Sequence, residues 1–371
     1  MSNIYSLTMP KWGLSMKEGK IVAWLADEGT EVSKGAEILE IETEKILSSI
    51  EAPASGILRR RVAGVDDVVA VGGLLGVIGD NSITDSELDS FIAEFQARAA
   101  VQTKEAESGP VPETVVVKDQ SLRYLKRGEG QEVVILIHGF GGDLNGWLFN
   151  HEELAGRRTV YALDLPGHGG SSKHIQSAAL DEFAKSLELF MDSVGLTKAH
   201  LVGHSMGGAV ALRLALASPQ RVSSLVLIAS AGLGMEIDGE YINGFIAASR
   251  RKDLKPHIEK LFADPQLVGR QLVEDILKYK RLDGVERALR TLAGEFCPGG
   301  KQAVVLRERL SQLPMPILVI WGAEDRILPV SHSQGLPPNV RTEVLAGSGH
   351  MVHMESASRV NRLIQEFWES E

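Results

Sequence analysis

The chain has 371 residues, enough for two domains, and a formal net charge of -10, from 39 lysine and arginine against 49 aspartate and glutamate residues. This balance argues against nucleic acid and anionic membrane surfaces as partners, and no apolar run reaches the roughly 18 residues needed to span a bilayer. Residues 1–5 lack the features of a secretory signal, and the single cysteine, Cys297, excludes an intrachain disulfide and a cysteine-cluster metal site, so we expect a cytoplasmic protein without a metal.

Residues 1–80 form the first predicted domain and repeat themselves at an offset of 37 positions. Short alternating apolar runs, broken by glycine or charged residues, predict a small antiparallel β-sandwich built from two similar halves. Lys45 falls between the halves, where we expect a hairpin turn to project its side chain into solvent. Seven like-for-like pairs carry the repeat: Gly19 and Gly56, Ile21 and Leu58, Leu25 and Val62, Val32 and Val69, Gly35 and Gly72, Ile38 and Leu75, Ile41 and Ile78.

Residues 81–114 have the composition of an acidic linker that contains one amphipathic helix. Thr84 and Glu87 have the spacing of a capping box, in which each residue bonds the backbone N–H of the other at a helix start. An apolar stripe at helical spacing follows, which we expect to pack on the neighbouring domain or, alternatively, on a partner subunit. The stripe consists of Leu88, Phe91, Ile92 and Phe95.

Residues 115–371 alternate strand-like and helix-like segments, which predicts an α/β domain with a largely parallel sheet. The segment 232–311 differs, because it is helical in pattern and rich in charge. Since it separates two core strands, we expect it to form a helical cap over the carboxyl edge of the sheet.

Residues 203–207 have the pattern G-x-S-x-G, with a strand-like segment before them and a helix-like segment after them. The glycines permit a sharp turn that lifts the hydroxyl of Ser205 above the sheet edge. Serine needs a base to take its proton, and the base needs a third group to orient it. Ser205 is therefore predicted to be a catalytic nucleophile.

Asp325 and His350 complete the predicted triad in the chain order Ser, Asp, His. Each follows a predicted strand, so both should lie at the carboxyl edge of the sheet beside the serine. Glu324 is the alternative to Asp325, and His353 is the alternative to His350. We expect His353 to be a surface or packing residue, because it lies further into the next helix.

Residues 138–142 form a glycine-rich loop after a predicted strand. In this setting the loop supplies one N–H group of an oxyanion hole, and the residue after the nucleophile supplies the other. This assigns the oxyanion hole to Phe140 and Met206. A phosphate cradle is the alternative, but no phosphate-binding glycine motif accompanies the loop. The later loop at His168 is expected to brace the site without a catalytic role.

Over residues 115–371 these motifs resemble the α/β-hydrolase family, whose members include esterases, thioesterases, C–C hydrolases and acyltransferases. Residues 4–80 resemble the lipoyl domains of 2-oxo-acid dehydrogenase complexes, which implies lipoate on Lys45. Glu44 and Ile46 depart from the Asp and the Ala or Val that most lipoyl domains carry there, and the rival biotinyl carriers have methionine at both positions. The lipoyl resemblance is carried by Glu18-Gly19, Glu28-Gly29, Gly35, residues 41–45, residues 51–53 and Gly56.

The order of the two domains resembles the acyltransferase components of bacterial acetoin dehydrogenase complexes over nearly the whole chain. The His-x-x-x-Asp-Gly motif of the usual dehydrogenase-complex acyltransferases is absent. The resemblance implies transfer of acetyl from the lipoyl arm to coenzyme A, without a metal. It also implies a homo-oligomer that works with a thiamine-diphosphate-dependent acetoin dehydrogenase component and dihydrolipoamide dehydrogenase.

Two other functions remain open from the sequence. One is a hydrolase, a thioesterase or an ester or C–C hydrolase, that uses its lipoyl domain only for docking. The other is a non-catalytic carrier and scaffold. For the transferase, the sequence also leaves open whether acetyl passes through Ser205 or the thiol attacks the lipoyl thioester directly with His350 as base.

Overall fold

The computed structural model describes residues 4–9, 18–42, 47–107 and 110–370. The chain divides into two compact units, the first comprising residues 1–109 with 270–272 and the second comprising residues 110–269 and 273–371. The predicted fold class, a small all-β sandwich followed by an α/β domain with a helical cap, is confirmed by the architecture of these units.

The first unit has eight strands among its described residues. They form two four-stranded antiparallel sheets, with the orders β1-β8-β6-β3 and β5-β4-β2-β7. Buried aliphatic side chains such as Ile21, Ile41 and Leu58 fill the core of the unit. The strands are β1 (Tyr5–Thr8), β2 (Glu18–Trp24), β3 (Glu31–Val32), β4 (Glu37–Glu42), β5 (Leu47–Glu51), β6 (Gly56–Arg61), β7 (Val68–Ala70) and β8 (Leu74–Gly79).

The sequence repeat of the first unit reappears in its strand pairing. Gly19 of β2 pairs with Val69 of β7, and Val32 of β3 pairs with Gly56 of β6. Gly19 and Gly56 are equivalent in the repeat, and so are Val32 and Val69, so each half lends its short strand to the other half's sheet. The exchange is symmetric, as expected for two halves that one sequence offset relates.

The predicted attachment residue, Lys45, lies outside the described residues. The strands on either side of it, β4 and β5, pair as an antiparallel hairpin whose last described pair is Glu42 with Leu47. Residues 43–46, which include the lysine, are thus the chain segment that joins two paired strands.

Helix α1 (Asp85–Glu107) follows the sandwich and belongs to the same unit. Its predicted capping box is present: the Thr84 N–H donates to Glu87 Oε2 at 2.8 Å, and the Glu87 N–H donates to Thr84 Oγ1 at 3.3 Å. The predicted apolar stripe packs on the sandwich itself, so its cover is part of the same chain. The packing cluster contains Leu74, Val77, Ile83 and Leu88, with Ile4, Val62, Phe91, Ile92 and Phe95 against them.

We expect the double substitution of Phe91 and Phe95 by serine to release α1 from the sandwich. Both rings are half-buried in that contact, and losing them should weaken the docking of α1 on the sandwich by about 2 to 3 kcal/mol. Hydrogen exchange of the α1 amides should then approach the rate of an isolated helix that packs on nothing. The exposed Gln96→Ser is the control, and unchanged α1 protection in the double variant would show that the stripe does not hold the helix.

The second unit contains one eight-stranded sheet in its described part, ordered β16-β15-β14-β13-β11-β12-β10-β9. β9 and β10 are antiparallel to their neighbours at one edge of the sheet. The six strands β11 to β16 run parallel to one another. The strands are β9 (Glu113–Val117), β10 (Gln120–Arg127), β11 (Val133–Ile137), β12 (Thr159–Leu163), β13 (Ala199–His204), β14 (Val222–Ile228), β15 (Ile317–Gly322) and β16 (Val340–Leu345).

The helices of the second unit connect these strands, and four of them lie between β14 and β15 within the predicted cap segment 232–311. Because the parallel strands share one direction, the loops after β11, β13, β15 and β16 meet at one sheet edge. The helices are α2 (His151–Leu154), α3 (Leu180–Ser193), α4 (Met206–Ala217), α5 (Gly239–Ala247), α6 (Arg251–Glu259), α7 (Arg270–Lys280), α8 (Val285–Phe296), α9 (Val352–Glu355) and α10 (Ala357–Glu369).

Candidate active site

Ser205 occupies the sharp turn between the end of β13 and the start of α4. Its backbone has φ 52° and ψ -120°, a conformation that L residues adopt only where the surroundings enforce it. The flanking glycines are required, since a Cβ on Gly203 would lie 2.5 Å from the Gly207 carbonyl oxygen, and one on Gly207 would clash with the Ile137 carbonyl oxygen. The sequence thus holds the serine at the carboxyl edge of the sheet.

Asp325 and His350 are brought together beside that turn. His350 Nδ1 lies 2.8 Å from Asp325 Oδ2, and both side chains are buried. The other carboxylate oxygen, Oδ1, accepts the N–H groups of Ile327 at 2.8 Å and Leu328 at 3.0 Å. With its acceptors occupied, the carboxylate holds the proton of His350 on Nδ1 and leaves Nε2 free as a base.

The two alternative residues make other contacts. Glu324 Oε2 accepts the Ser348 N–H at 3.0 Å and does not bond to a histidine. His353 is buried, with its ring centroid 4.7 Å from that of Trp147, and burial lowers its pKa to about 3. His353 is therefore a packing residue. Among the described residues, no side-chain hydrogen bond is found for Ser205 Oγ.

The loop after β11 lies against the serine. A Cβ on Gly139 would be 3.0 Å from Ser205 Cβ, so the backbone approaches the nucleophile as closely as a glycine allows. Within the described chain, no acceptor takes the N–H of Phe140 or of Met206. Two free donors beside the serine are what an oxyanion hole needs.

His138 fixes this loop, a role that the sequence did not reveal. Its Nδ1 donates to the Gly139 carbonyl at 2.8 Å, and its Nε2 accepts the Leu165 N–H at 3.0 Å. The buried Asp164 adds to the bracing by accepting the Leu144 and Gly170 N–H groups, each at 2.7 Å. Both residues follow strands at the same edge, which is the only sequence signal that points to them.

His168 is also a structural residue, as expected. It is fully buried, and its Nδ1 donates to the Pro166 carbonyl at 3.0 Å. Its ring packs edge-to-face against that of His138, with centroids 4.9 Å apart. These contacts place it in the bracing of the loops.

The cap contributes an aromatic contact to the oxyanion loop. Phe245 of α5 packs edge-to-face on Phe140, with ring centroids 5.9 Å apart, and it fills the space where a Cβ on Gly141 would lie. Lys280 of α7 lies 4.9 Å from the Phe245 ring centroid and donates to the Ile246 carbonyl at 3.0 Å. The cap thereby covers part of the loop with the ring of Phe245.

Buried histidines give the second unit a dependence on pH that the first unit lacks, since all ten histidines lie at residue 138 or later. Burial lowers the pKa of His151 from 6.5 to about 4, and His353 falls further. A proton then binds these histidines better in the unfolded chain than in the folded one. The stability that their neutral forms contribute is therefore fully present above pH 6.5 and is lost as the pH falls toward the folded pKa. Six histidines have a lowered pKa: His138, His151, His168, His200, His204 and His353.

We therefore expect the second unit to unfold at a higher pH than the first unit. Each such histidine costs about 1.4 kcal/mol per pH unit below its unfolded pKa. Hydrogen exchange of peptides from each unit, followed from pH 7 to pH 3, measures the two midpoints separately. His151→Gln keeps a donor for the Val160 carbonyl and should move the second midpoint to lower pH, whereas the exposed His174→Gln should not. A first unit that unfolds at the higher pH would contradict this account.

The described residues contain no group of three or more His, Cys, Asp or Glu side chains placed to hold a metal ion. None of their helices combines the length and the apolar character that a membrane crossing requires.

Comparisons with known proteins match both units. A family model described as the alpha/beta hydrolase fold matches residues 132–357, and one described as biotin-requiring enzyme matches residues 6–78. The solved structure of a meta-cleavage product hydrolase mutant is similar in fold, with a TM-score of 0.65 at 24% identity over 70% of this chain and 99% of that chain.

Two relatives match nearly the whole chain, and both are named dihydrolipoyllysine-residue acetyltransferase component of acetoin cleaving system. The protein from Pseudomonas putida is 50% identical over 369 residues, which cover 99% of each chain. The protein from Cupriavidus necator is 45% identical over 363 residues, covering 98% of this chain and 97% of its own. The present chain, with its lipoyl-type sandwich and its α/β-hydrolase unit, therefore belongs to the family of acetyltransferase components of acetoin cleaving systems.

Proposed function

We propose that this protein moves an acetyl group from a lipoyl group on Lys45 to coenzyme A, as the dihydrolipoyllysine-residue acetyltransferase of an acetoin cleaving system. The observation that carries the proposal is the buried Asp325–His350 pair beside the strained turn of Ser205. That pair activates a serine for acyl transfer, and the full-length relatives bear the name of an acetyltransferase.

The first unit fits covalent lipoate. Lys45 is in the short segment that joins the paired residues Glu42 and Leu47, and its amine is the group to which lipoate attaches as an amide. Lipoate bound there would, in its reduced form, supply a pair of thiols that can carry an acyl group. The residues of the second unit act on that acyl group as their substrate.

In the first half-reaction, His350 Nε2 takes the proton of Ser205 Oγ as the oxygen attacks the thioester carbonyl. Asp325 stabilises the resulting imidazolium, and the N–H groups of Phe140 and Met206 bind the oxyanion. The carbon–sulfur bond then breaks, and His350 gives the proton to the departing sulfur. The acetyl group is left as an ester on Ser205.

In the second half-reaction, His350 Nε2 takes the proton of the coenzyme A thiol. The sulfur attacks the ester carbonyl, and the same two N–H groups bind the second oxyanion. When the ester bond breaks, Ser205 Oγ recovers the proton from His350. One thioester is consumed and one is formed, so the transfer needs no oxidant.

The thiol must compete with water at the acetylated serine. The contact between Phe245 and Phe140 covers the oxyanion loop with aromatic rings, which lowers the access of water to the ester. A thiolate is also the stronger nucleophile near neutral pH. These two effects favour transfer over hydrolysis.

Measuring both products together tests the proposal. With acetyl-dihydrolipoamide as donor and coenzyme A at saturation, acetyl-CoA should form in large excess over free acetate. Acetate as the dominant product would make the protein a hydrolase that carries a lipoyl domain. If neither product forms while Lys45 is fully lipoylated, the protein is a carrier and scaffold without transferase activity.

The proposal extends to organisation and partners. Residues 1–80 would be the carrier domain, 81–114 the linker with its helix, and 115–371 the catalytic domain, with its cap at about 232–311. A component of an acetoin cleaving system works with other components. We propose that these are a thiamine-diphosphate-dependent acetoin dehydrogenase component and dihydrolipoamide dehydrogenase, in the cytoplasm, around a homo-oligomer of this chain.

A further inference from the structure

His204, the residue before the nucleophile, contacts the loop of the proposed base. Its Nε2 lies 3.0 Å from the main-chain carbonyl oxygen of His350. A carbonyl oxygen only accepts, so Nε2 carries the proton and donates, and Nδ1 carries the lone pair. The side chain that precedes Ser205 therefore donates a hydrogen bond to the main chain of His350, the proposed base for Ser205.

Packing restricts the His204 ring to this orientation. Its centroid lies 4.8 Å from that of His350 and 4.4 Å from that of His353, and a Cβ on Gly139 would be 3.0 Å from its Nδ1. The residue is 5% exposed, so water does not replace the bond to the carbonyl. These neighbours restrict rotation of the His204 ring, so its Nε2 stays directed at the His350 carbonyl.

His204 also remains uncharged beside the base. Burial holds its pKa well below the ordinary value, and the neighbouring His353 and His350 lower it further. A neutral ring adds no repulsion when His350 becomes an imidazolium during catalysis. A lysine or arginine donor at this place would disfavour that charge.

We propose that His204 is a positioning residue, which holds the His350 loop so that the imidazole faces Ser205 while Asp325 binds its other nitrogen. The inference rests on the proposed role of His350 as base. His204 touches no reacting atom. It precedes the nucleophile in the chain and donates to the main chain of the base.

The test replaces His204 in the full-length protein. His204→Phe keeps the ring but removes the donor, His204→Asn keeps an amide that is too short to reach the carbonyl, and His204→Gln has an amide that can reach it. His200→Phe is the matched control, because His200 is on the same strand and bonds Ser224 Oγ at 2.8 Å, away from His350. With p-nitrophenyl acetate and no coenzyme A or lipoate, the first-turnover burst of p-nitrophenol reports acylation of Ser205. The steady-state kcat reports hydrolysis of the ester, and both steps need the proposed base.

We expect kcat to fall about tenfold to a hundredfold in the Phe and Asn variants, with KM within about twofold, because a misplaced base slows the chemical step. The acid limb of the kcat/KM profile should move to lower pH, since a loosened contact with Asp325 stabilises the imidazolium less. His204→Gln should recover most of kcat, and His200→Phe should match the wild type. If the Phe variant does not fold, the Asn variant carries the comparison.

Three results would overturn the inference. The first is wild-type kcat and an unmoved acid limb in both the Phe and the Asn variant. The second is a Gln variant as slow as the others with an unmoved limb, which would indicate packing alone. The third is ester cleavage that survives His350→Ala, because His350 would then not be the base. Failure of the proposed acetyl transfer would instead show as acetate formation in the wild type, with His350-dependent ester cleavage intact.

Discussion

Ser205→Ala is expected to reduce acetyl transfer from acetyl-dihydrolipoamide to coenzyme A by about 10⁴-fold or more in kcat. No hydroxyl remains to form the ester, and only substrate binding and the oxyanion hole still contribute. His350→Ala should be about as severe, and the double variant little worse, because the two residues act as one unit. The measurement is the rate of acetyl-CoA formation with both substrates at saturation.

The same variants separate the two routes of transfer. If the coenzyme A thiol attacked the lipoyl thioester directly, Ser205→Ala would keep much of the activity and His350→Ala would lose it. Ser193→Ala is the control, since this exposed hydroxyl donates to the Leu189 carbonyl and its loss should leave the rate unchanged. A Ser205→Ala protein that transfers at nearly the wild-type rate would exclude the acyl-serine.

Lys45→Arg is expected to abolish lipoylation and, with it, all transfer that depends on the attached arm. The substitution keeps the positive charge but removes the amine that forms the amide. Intact mass before and after incubation with a lipoate ligase and lipoate measures the modification. Transfer from free acetyl-dihydrolipoamide should persist in this variant, because the second unit is unchanged.

Lys34→Arg is the matched control, as Lys34 is an exposed lysine of the same unit. It should accept one lipoyl group, and peptide mapping should place that group on Lys45. Lipoate on another lysine, or biotin on Lys45, would contradict the assignment of the carrier.

The two similar halves of the first unit were predictable because the repeat is strict in its offset. The offset did not state which strands pair, so the exchange that joins Gly19 with Val69 and Gly56 with Val32 came only from the structure. The turn at Ser205 was predictable for a similar reason, since two glycines, a strand and a helix stand next to each other in the chain.

The contacts that sequence could not supply join residues far apart. His204 and His350 are separated by 146 positions, and nothing in a G-x-S-x-G pattern states what the variable residue binds. The cap contact of Phe245 with Phe140 depends on how the cap helices fold back over the loop. The helical stripe of α1 predicted burial but not the covering surface, which tertiary packing alone decides.

The central claim is that acetyl passes through Ser205, and trapping the ester tests it most directly. The lipoylated protein is incubated with acetyl-dihydrolipoamide without coenzyme A, quenched in acid and digested, and the peptide containing Ser205 is analysed by mass spectrometry. The account predicts an acetyl group on Ser205 that disappears when coenzyme A is added before the quench, with a matching amount of acetyl-CoA. An unmodified Ser205 peptide in a preparation that forms acetyl-CoA at full rate would contradict it.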